Sequence, residues 1–152
     1  RINEDLLFNV EAFDRCKRSV YEDVVKYRYM YNPNSAARLG FDISKQQDVL
    51  TVAKRIKNYL ASKPALTREV DCFYAEKILS LYRILYANDS LDNQLALELR
   101  AGLSAIKGVN RSLRFRVLRT LIINFPSLYN LVRSVYDRLF VLRQKWKIPK
   151  NE

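Results

Sequence analysis

The stretch Ser44-Lys-Gln-Gln-Asp-Val-Leu-Thr-Val-Ala-Lys-Arg-Ile-Lys-Asn-Tyr-Leu60 decides the fold class. Val49, Val52, Ala53, Ile56, Tyr59 and Leu60 recur at three- and four-residue steps, so they share one face of an α-helix. Ser44 with Gln47 has the capping-box spacing, which satisfies two orphan amides where a helix starts. Pro64 then breaks the pattern, since it brings no donor and clashes with the turn before it. The result is a helix with one apolar stripe, and such a stripe needs a neighbour to bury it.

The same period continues toward the C-terminus. From about Thr67, Val70, Phe73, Tyr74, Ile78, Leu81 and Leu85 form a second inward face. Asn88-Asp89-Ser90 reads as a polar loop. Leu91, Leu95, Leu99, Leu103 and Ile106 mark a third helix, stopped by Gly108. A fourth runs from about Arg111 to Asn124, and Pro126 stands where the first turn of a fifth accepts proline. That last helix carries Leu128, Leu131, Val132, Val135, Leu139 and Leu142. Residues 41–152 therefore read as a bundle of about five helices, which persist through mutual burial.

Toward the N-terminus the period changes. Residues 3–18 read as a helix, with Leu6, Leu7, Val10 and Phe13 at helical spacing and Asn3 as its N-cap. Glu4 and Asp5 fall in the first turn, where carboxylates meet the positive end of the macrodipole. In Val25-Lys-Tyr-Arg-Tyr-Met-Tyr31, β-branched and aromatic residues alternate as in a strand. Ser19-Val20-Tyr21 reads as a short partner strand, and Asn32-Pro33-Asn34-Ser35 is expected to end the extended run. The expected fold is mainly α: a short β-hairpin or strand segment near the N-terminus, then the helical bundle.

Composition narrows the chemistry. The chain has no histidine, which removes the commonest general base and the usual nucleophilic triads. Cys16 and Cys72 lack metal-ligand spacing and read as buried free thiols. No apolar run is long enough to span a bilayer. The first residue is Arg1 and the single methionine is Met30, so the chain is expected to open partway through a larger protein.

Charge is concentrated at one end. The net charge is +11, of which residues 107–152 supply +9 with 11 basic and 2 acidic side chains. Such asymmetry calls for an anionic partner. Arg111, Arg114, Arg116 and Arg119 stand two or three apart, and the last helix is basic and amphipathic with a tryptophan near its end. Arg133, Arg138, Arg143, Lys145, Trp146 and Lys147 are the candidate contacts to a membrane or other anion. Nucleic acid is disfavoured, because the tyrosines occupy core-type positions away from the Arg-rich segments.

The opening Arg1-Ile-Asn-Glu-Asp-Leu-Leu-Phe-Asn9 contains the series E-D-x-x-F-N. It is followed in order by the tyrosine segment 27–31, the Asn32-Pro33-Asn34-Ser35 turn and a capped helix. This order resembles the end of the catalytic domain in family 2 glycosyltransferases. The resemblance covers residues 1–60 well and only the helical, basic character beyond. It implies that residues 1–40 close an α/β GT-A domain and that 41–152 form a helical C-terminal region. It further implies inverting transfer from a nucleotide-sugar to a glycan or lipid-linked acceptor, in bacterial cell-surface polysaccharide synthesis at the cytoplasmic, inner face of the membrane.

Within that family, Asp5 would be the general base on the acceptor hydroxyl, with Glu4 orienting it or touching the acceptor. The family's nucleotide and its divalent metal, Mg or Mn, are held through a D-x-D motif. No D-x-D occurs here, so the chain carries no cofactor site of its own and is expected to be inactive alone. Gln144-Lys145-Trp146 lacks the spacing of the Q-x-x-R-W motif of processive synthases, which points to single-sugar addition. An exposed apolar edge beside Tyr27, Tyr29 and Tyr31 would invite a homo-oligomer. The alternative is a helical interaction module whose basic face binds a partner protein, an anionic membrane or nucleic acid.

Overall fold

A computed structural model describes residues 4–20, 40–106 and 112–147, with backbone alone at Glu4 and over 141–147. Among the described residues six α-helices follow one another: α1 (Glu4–Arg15), α2 (Ile43–Tyr59), α3 (Thr67–Ala87), α4 (Gln94–Ala105), α5 (Leu113–Asn124) and α6 (Pro126–Lys147). Two single 3₁₀ turns, Leu60–Ser62 and Pro64–Leu66, join α2 to α3 on either side of Lys63. No strand occurs among the described residues. Ser19 and Val20 are irregular, and the expected strand Val25–Tyr31 lies outside the described residues, as do Tyr21, Asn3 and Gly108.

The chain divides into two compact units, residues 1–81 and 82–152, with the boundary inside the unbroken α3. In the first unit α1 packs on α2. The buried side chains are Leu50, Val52, Ala53 and Ile56 of α2 with Val70, Tyr74, Ala75, Ile78 and Leu81 of α3. The expected α2 face was nearly right, but Leu50 replaces Val49, while Tyr59 and Leu60 are half-buried. Lys57 ties the two helices: its ammonium lies 2.7 Å from Asp71 Oδ1 and 4.9 Å from the Tyr74 ring centroid.

The cap of α2 sits two residues earlier than the capping-box reading places it. Asp42 is the N-cap, and its Oδ1 accepts from the Ser44 amide at 2.9 Å and the Ser44 hydroxyl at 2.8 Å. Those two bonds hold the Asp42 carboxyl below the usual carboxylate range. The backbone carbonyl of Gln47 accepts from the Thr51 hydroxyl at 2.8 Å.

The second unit holds α4 on α5 and α5 on α6. Its core is Tyr82, Leu85, Leu95, Ala96, Leu99, Leu103, Ile106, Phe115, Ile122 and Tyr129. α3 ends in a Schellman closure: the Ser90 amide donates to the Leu85 carbonyl at 2.9 Å and the Asp89 amide to Tyr86 at 3.2 Å. Asp89 supplies the left-handed residue this closure needs, at φ 47°. Asn93 then caps α4 by accepting from the Ala96 amide at 3.1 Å, so the helix starts three residues after Leu91. Ser112 caps α5 through the Phe115 amide, and Pro126 opens α6 as its fixed φ allows.

Candidate functional site

α1 opens at Glu4, which puts Asp5 in the first turn. The Asp5 side chain is exposed, and its Oδ1 accepts from the Leu6 amide at 2.8 Å. One orphan amide of the helix start is thereby satisfied, as a carboxylate at this position should do. The far end of α1 is fastened by Asp14, which pairs with Lys63 and accepts from the Tyr59 hydroxyl at 3.0 Å.

Between those ends α1 is poorly covered. Leu6, Leu7 and Val10 are half-buried, and no described residue of α1 is fully buried. Phe8 is 70% exposed and Phe13 68%. Phe13 was expected on the covered side, but it remains in solvent. Cys16, read as a buried thiol, is also exposed, because it follows the last turn of this thinly covered helix; Cys72 is partly buried.

The basic residues of the second unit fall into two groups with different work. Arg100 donates to the Ile123 carbonyl at 3.0 Å, and Arg119 donates to the Ile106 carbonyl. Both acceptors lie at or just past helix C-terminal ends, where carbonyls lack helical partners and cations are favoured. These two guanidiniums hold the unit together. Arg114, Arg116 and Arg138 are exposed instead.

Arg133 does not stand with Arg138. Its guanidinium pairs with Asp137 one turn on, at 2.8 and 3.1 Å, and lies 5.2 Å from the Tyr136 ring centroid. It lines a groove of about 220 Å³ between α5 and α6, with Arg114 across it and Leu118, Leu121, Val132 and Tyr136 as walls. The groove was not legible in the sequence, since it depends on how α5 and α6 are rotated against each other.

Tyr129 fixes that rotation. It is 1% exposed and meets Tyr82 and Tyr86 edge-to-face at 5.4 and 5.9 Å, while the Tyr86 hydroxyl donates to the Asn130 carbonyl at 3.4 Å. Burial raises the Tyr82 and Tyr129 hydroxyls above their ordinary value of 10.0, opposed by nearby Arg100 and Arg133. With Tyr129 facing inward, Leu128, Leu131, Val135 and Leu139 are left 45–61% exposed.

The side chains of Glu4, Arg143, Lys145, Trp146 and Lys147 lie outside the described set, although their backbones are helical. Among the described residues no cluster of three or more acidic and cysteine side chains could hold a metal ion. No helix of the described residues is long and apolar enough to cross a membrane. No protein-family model, curated protein or solved structure matches this chain.

Proposed function

We propose that residues 1–40 are the acceptor-side end of a GT-A catalytic domain and that residues 41–152 are its helical C-terminal region. The protein that carries them would be an inverting family 2 glycosyltransferase of bacterial cell-surface glycan synthesis. It would act in the cytoplasm, peripherally at the inner face of the membrane.

The observation that carries this reading is the state of α1. The helix opens at the Glu-Asp pair and leaves Asp5 exposed, while Phe8, the aromatic of the same E-D-x-x-F-N series, is bare. Apolar residues outside the packed side of a helix offer a second surface something to cover. The nucleotide-sugar half of such an enzyme would be that surface.

The chemistry asked of this chain is one proton transfer. Asp5 takes the proton of the acceptor hydroxyl as its oxygen attacks the anomeric carbon and the bond to the nucleotide diphosphate breaks. Attack opposite the leaving group inverts the anomeric centre. The chain has no D-x-D, and among its described residues no cluster of three or more acidic and cysteine side chains could hold a metal ion. A metal and the nucleotide would be held by another part of the enzyme.

Two tests bear on this. The coding sequence preceding Arg1 should specify a nucleotide-binding α/β pattern with D-x-D; an unrelated fold there overturns the reading. In the whole enzyme Asp5→Asn should cut transfer by about 10²–10⁴-fold with donor binding kept. Undiminished transfer removes Asp5 as the base. A second reading, an interaction module with a basic face, draws support from the exposed apolar residues of α6.

A further inference from the structure

Most of the exposed apolar residues of the second unit lie on α6, where Val132, Tyr136 and Phe140 are exposed as well as the row that follows. Leu128, Leu131, Val135 and Leu139 recur at three- and four-residue steps on α6, away from Tyr129. The sequence continues the register with Leu142 and Trp146. At 22 residues the helix is about 33 Å long, and the apolar stripe follows most of it.

Charge says what covers this stripe. In helical register Arg138 and Lys145 stand on one flank and Arg143 on the other, with no carboxylate at either. The one acidic residue of α6, Asp137, falls opposite the stripe and is paired with Arg133. α5 adds exposed Arg114 and Arg116 to the same unit.

A second copy packed in parallel is a poor occupant. In heptad terms Val132 and Leu139 fall at a, and Leu128 and Val135 at d, with Arg138 at g and Arg143 at e. Parallel pairing would set Arg138 of one copy against Arg143 of the other, a like-charge contact. An apolar stripe between basic flanks, with a tryptophan near its end, suits the interface of an anionic bilayer, where long basic side chains reach up to headgroups.

We infer that the Leu128–Leu131–Val135–Leu139 stripe of α6 is a docking surface for an anionic membrane, with the helix lying in the interface plane. This rests on the membrane location proposed above and not on the transfer chemistry. Arg138 flanks this stripe, whereas Arg133 lines the α5–α6 groove and pairs with Asp137.

The test uses this chain of 152 residues and vesicles of phosphatidylcholine alone or with phosphatidylglycerol. Trp146 is the only tryptophan, so its emission reports on the end of α6 directly. Anionic vesicles should shift the emission to the blue and sediment the protein at low salt. Neutral vesicles should bind at least about tenfold more weakly, and added salt should release the protein. Leu131→Asp with Leu139→Asp, and separately Arg138→Glu, should each lower anionic binding by about tenfold or more, with circular dichroism showing the helices intact.

Failure to bind anionic vesicles overturns the inference, as does binding that the substitutions leave unchanged. Concentration-dependent self-association abolished by the leucine substitutions would put a second copy on the stripe and equally overturn it. Selective capture of an acidic helical protein in place of vesicles does the same. None of these readouts involves sugar transfer, so the glycosyltransferase reading stands or falls separately.

Discussion

α4 and α6 carry nearly the same apolar pattern and come to opposite ends. In α4, Leu95, Leu99 and Leu103 are 2% exposed or less. In α6, Leu128, Leu131, Val135 and Leu139 are 45–61% exposed, while Tyr129, off that stripe, is buried. Periodicity shows that a helix has an apolar face; it does not show what covers the face. The flanks differ in a way that does bear on this, because only the α6 stripe lies between basic residues and lacks an acidic one.

Substitution separates the two helices most strongly in their leucines. Leu99→Ala should destabilise the fold by about 2–5 kcal/mol, since a buried leucine loses both its transfer term and its packing. Leu139→Ala should stay within about 0.5 kcal/mol, as for an exposed position. Denaturant midpoints of the two variants measure the contrast. Equal losses would mean that the α6 stripe is buried in solution.

The arginine clamps come next in size. Arg119→Ala leaves the Ile106 carbonyl without its charged donor and should cost about 1.5–3 kcal/mol. Arg138→Ala has no such partner to orphan and should be near neutral. Thermal unfolding of the pair would show whether basic residues in this unit divide into clamps and surface charges.

Smaller effects are expected at the closures around α4. Asn93→Ala removes the cap and should cost about 1 kcal/mol. Asp89→Gly should add several tenths of a kcal/mol, roughly, by relieving a left-handed residue that carries a side chain.

The tyrosine cluster gives a pH dependence. Because burial raises Tyr82 and Tyr129 above the ordinary 10.0, the unfolded chain loses these protons first. Their contribution is therefore whole below about pH 10 and lost as pH climbs through the raised folded value. Stability measured across that range should fall, and Tyr82→Phe with Tyr129→Phe should flatten the fall.

Much of the helical fold was legible because its signals are local. Leu95, Leu99, Leu103 and Ile106 repeat at nearly one turn, and Pro126 opens a helix by its own geometry. The start of α2 was misplaced because Asp42 and Ser44 are both good caps, and the charged oxygen takes the Ser44 amide and hydroxyl together. The clamps of Arg100 and Arg119 were hidden, since their acceptors are backbone carbonyls 23 and 13 residues away. The turning of α6 was hidden too, because it is Tyr129, against Tyr82 and Tyr86, and not the row of leucines that faces inward. Of the candidate site, the exposed Asp5 at a helix start could be anticipated, while the exposure of Phe13, read on the covered side, could not.

In the proposed membrane docking, the α6 stripe is a surface kept for a partner and not part of the core. Guanidinium unfolding of the Leu131→Asp, Leu139→Asp double variant tests it most directly. The midpoint should match that of the parent chain, since both carboxylates would sit in water. A loss of several kcal/mol, on the order of a charge placed in the core, would contradict it.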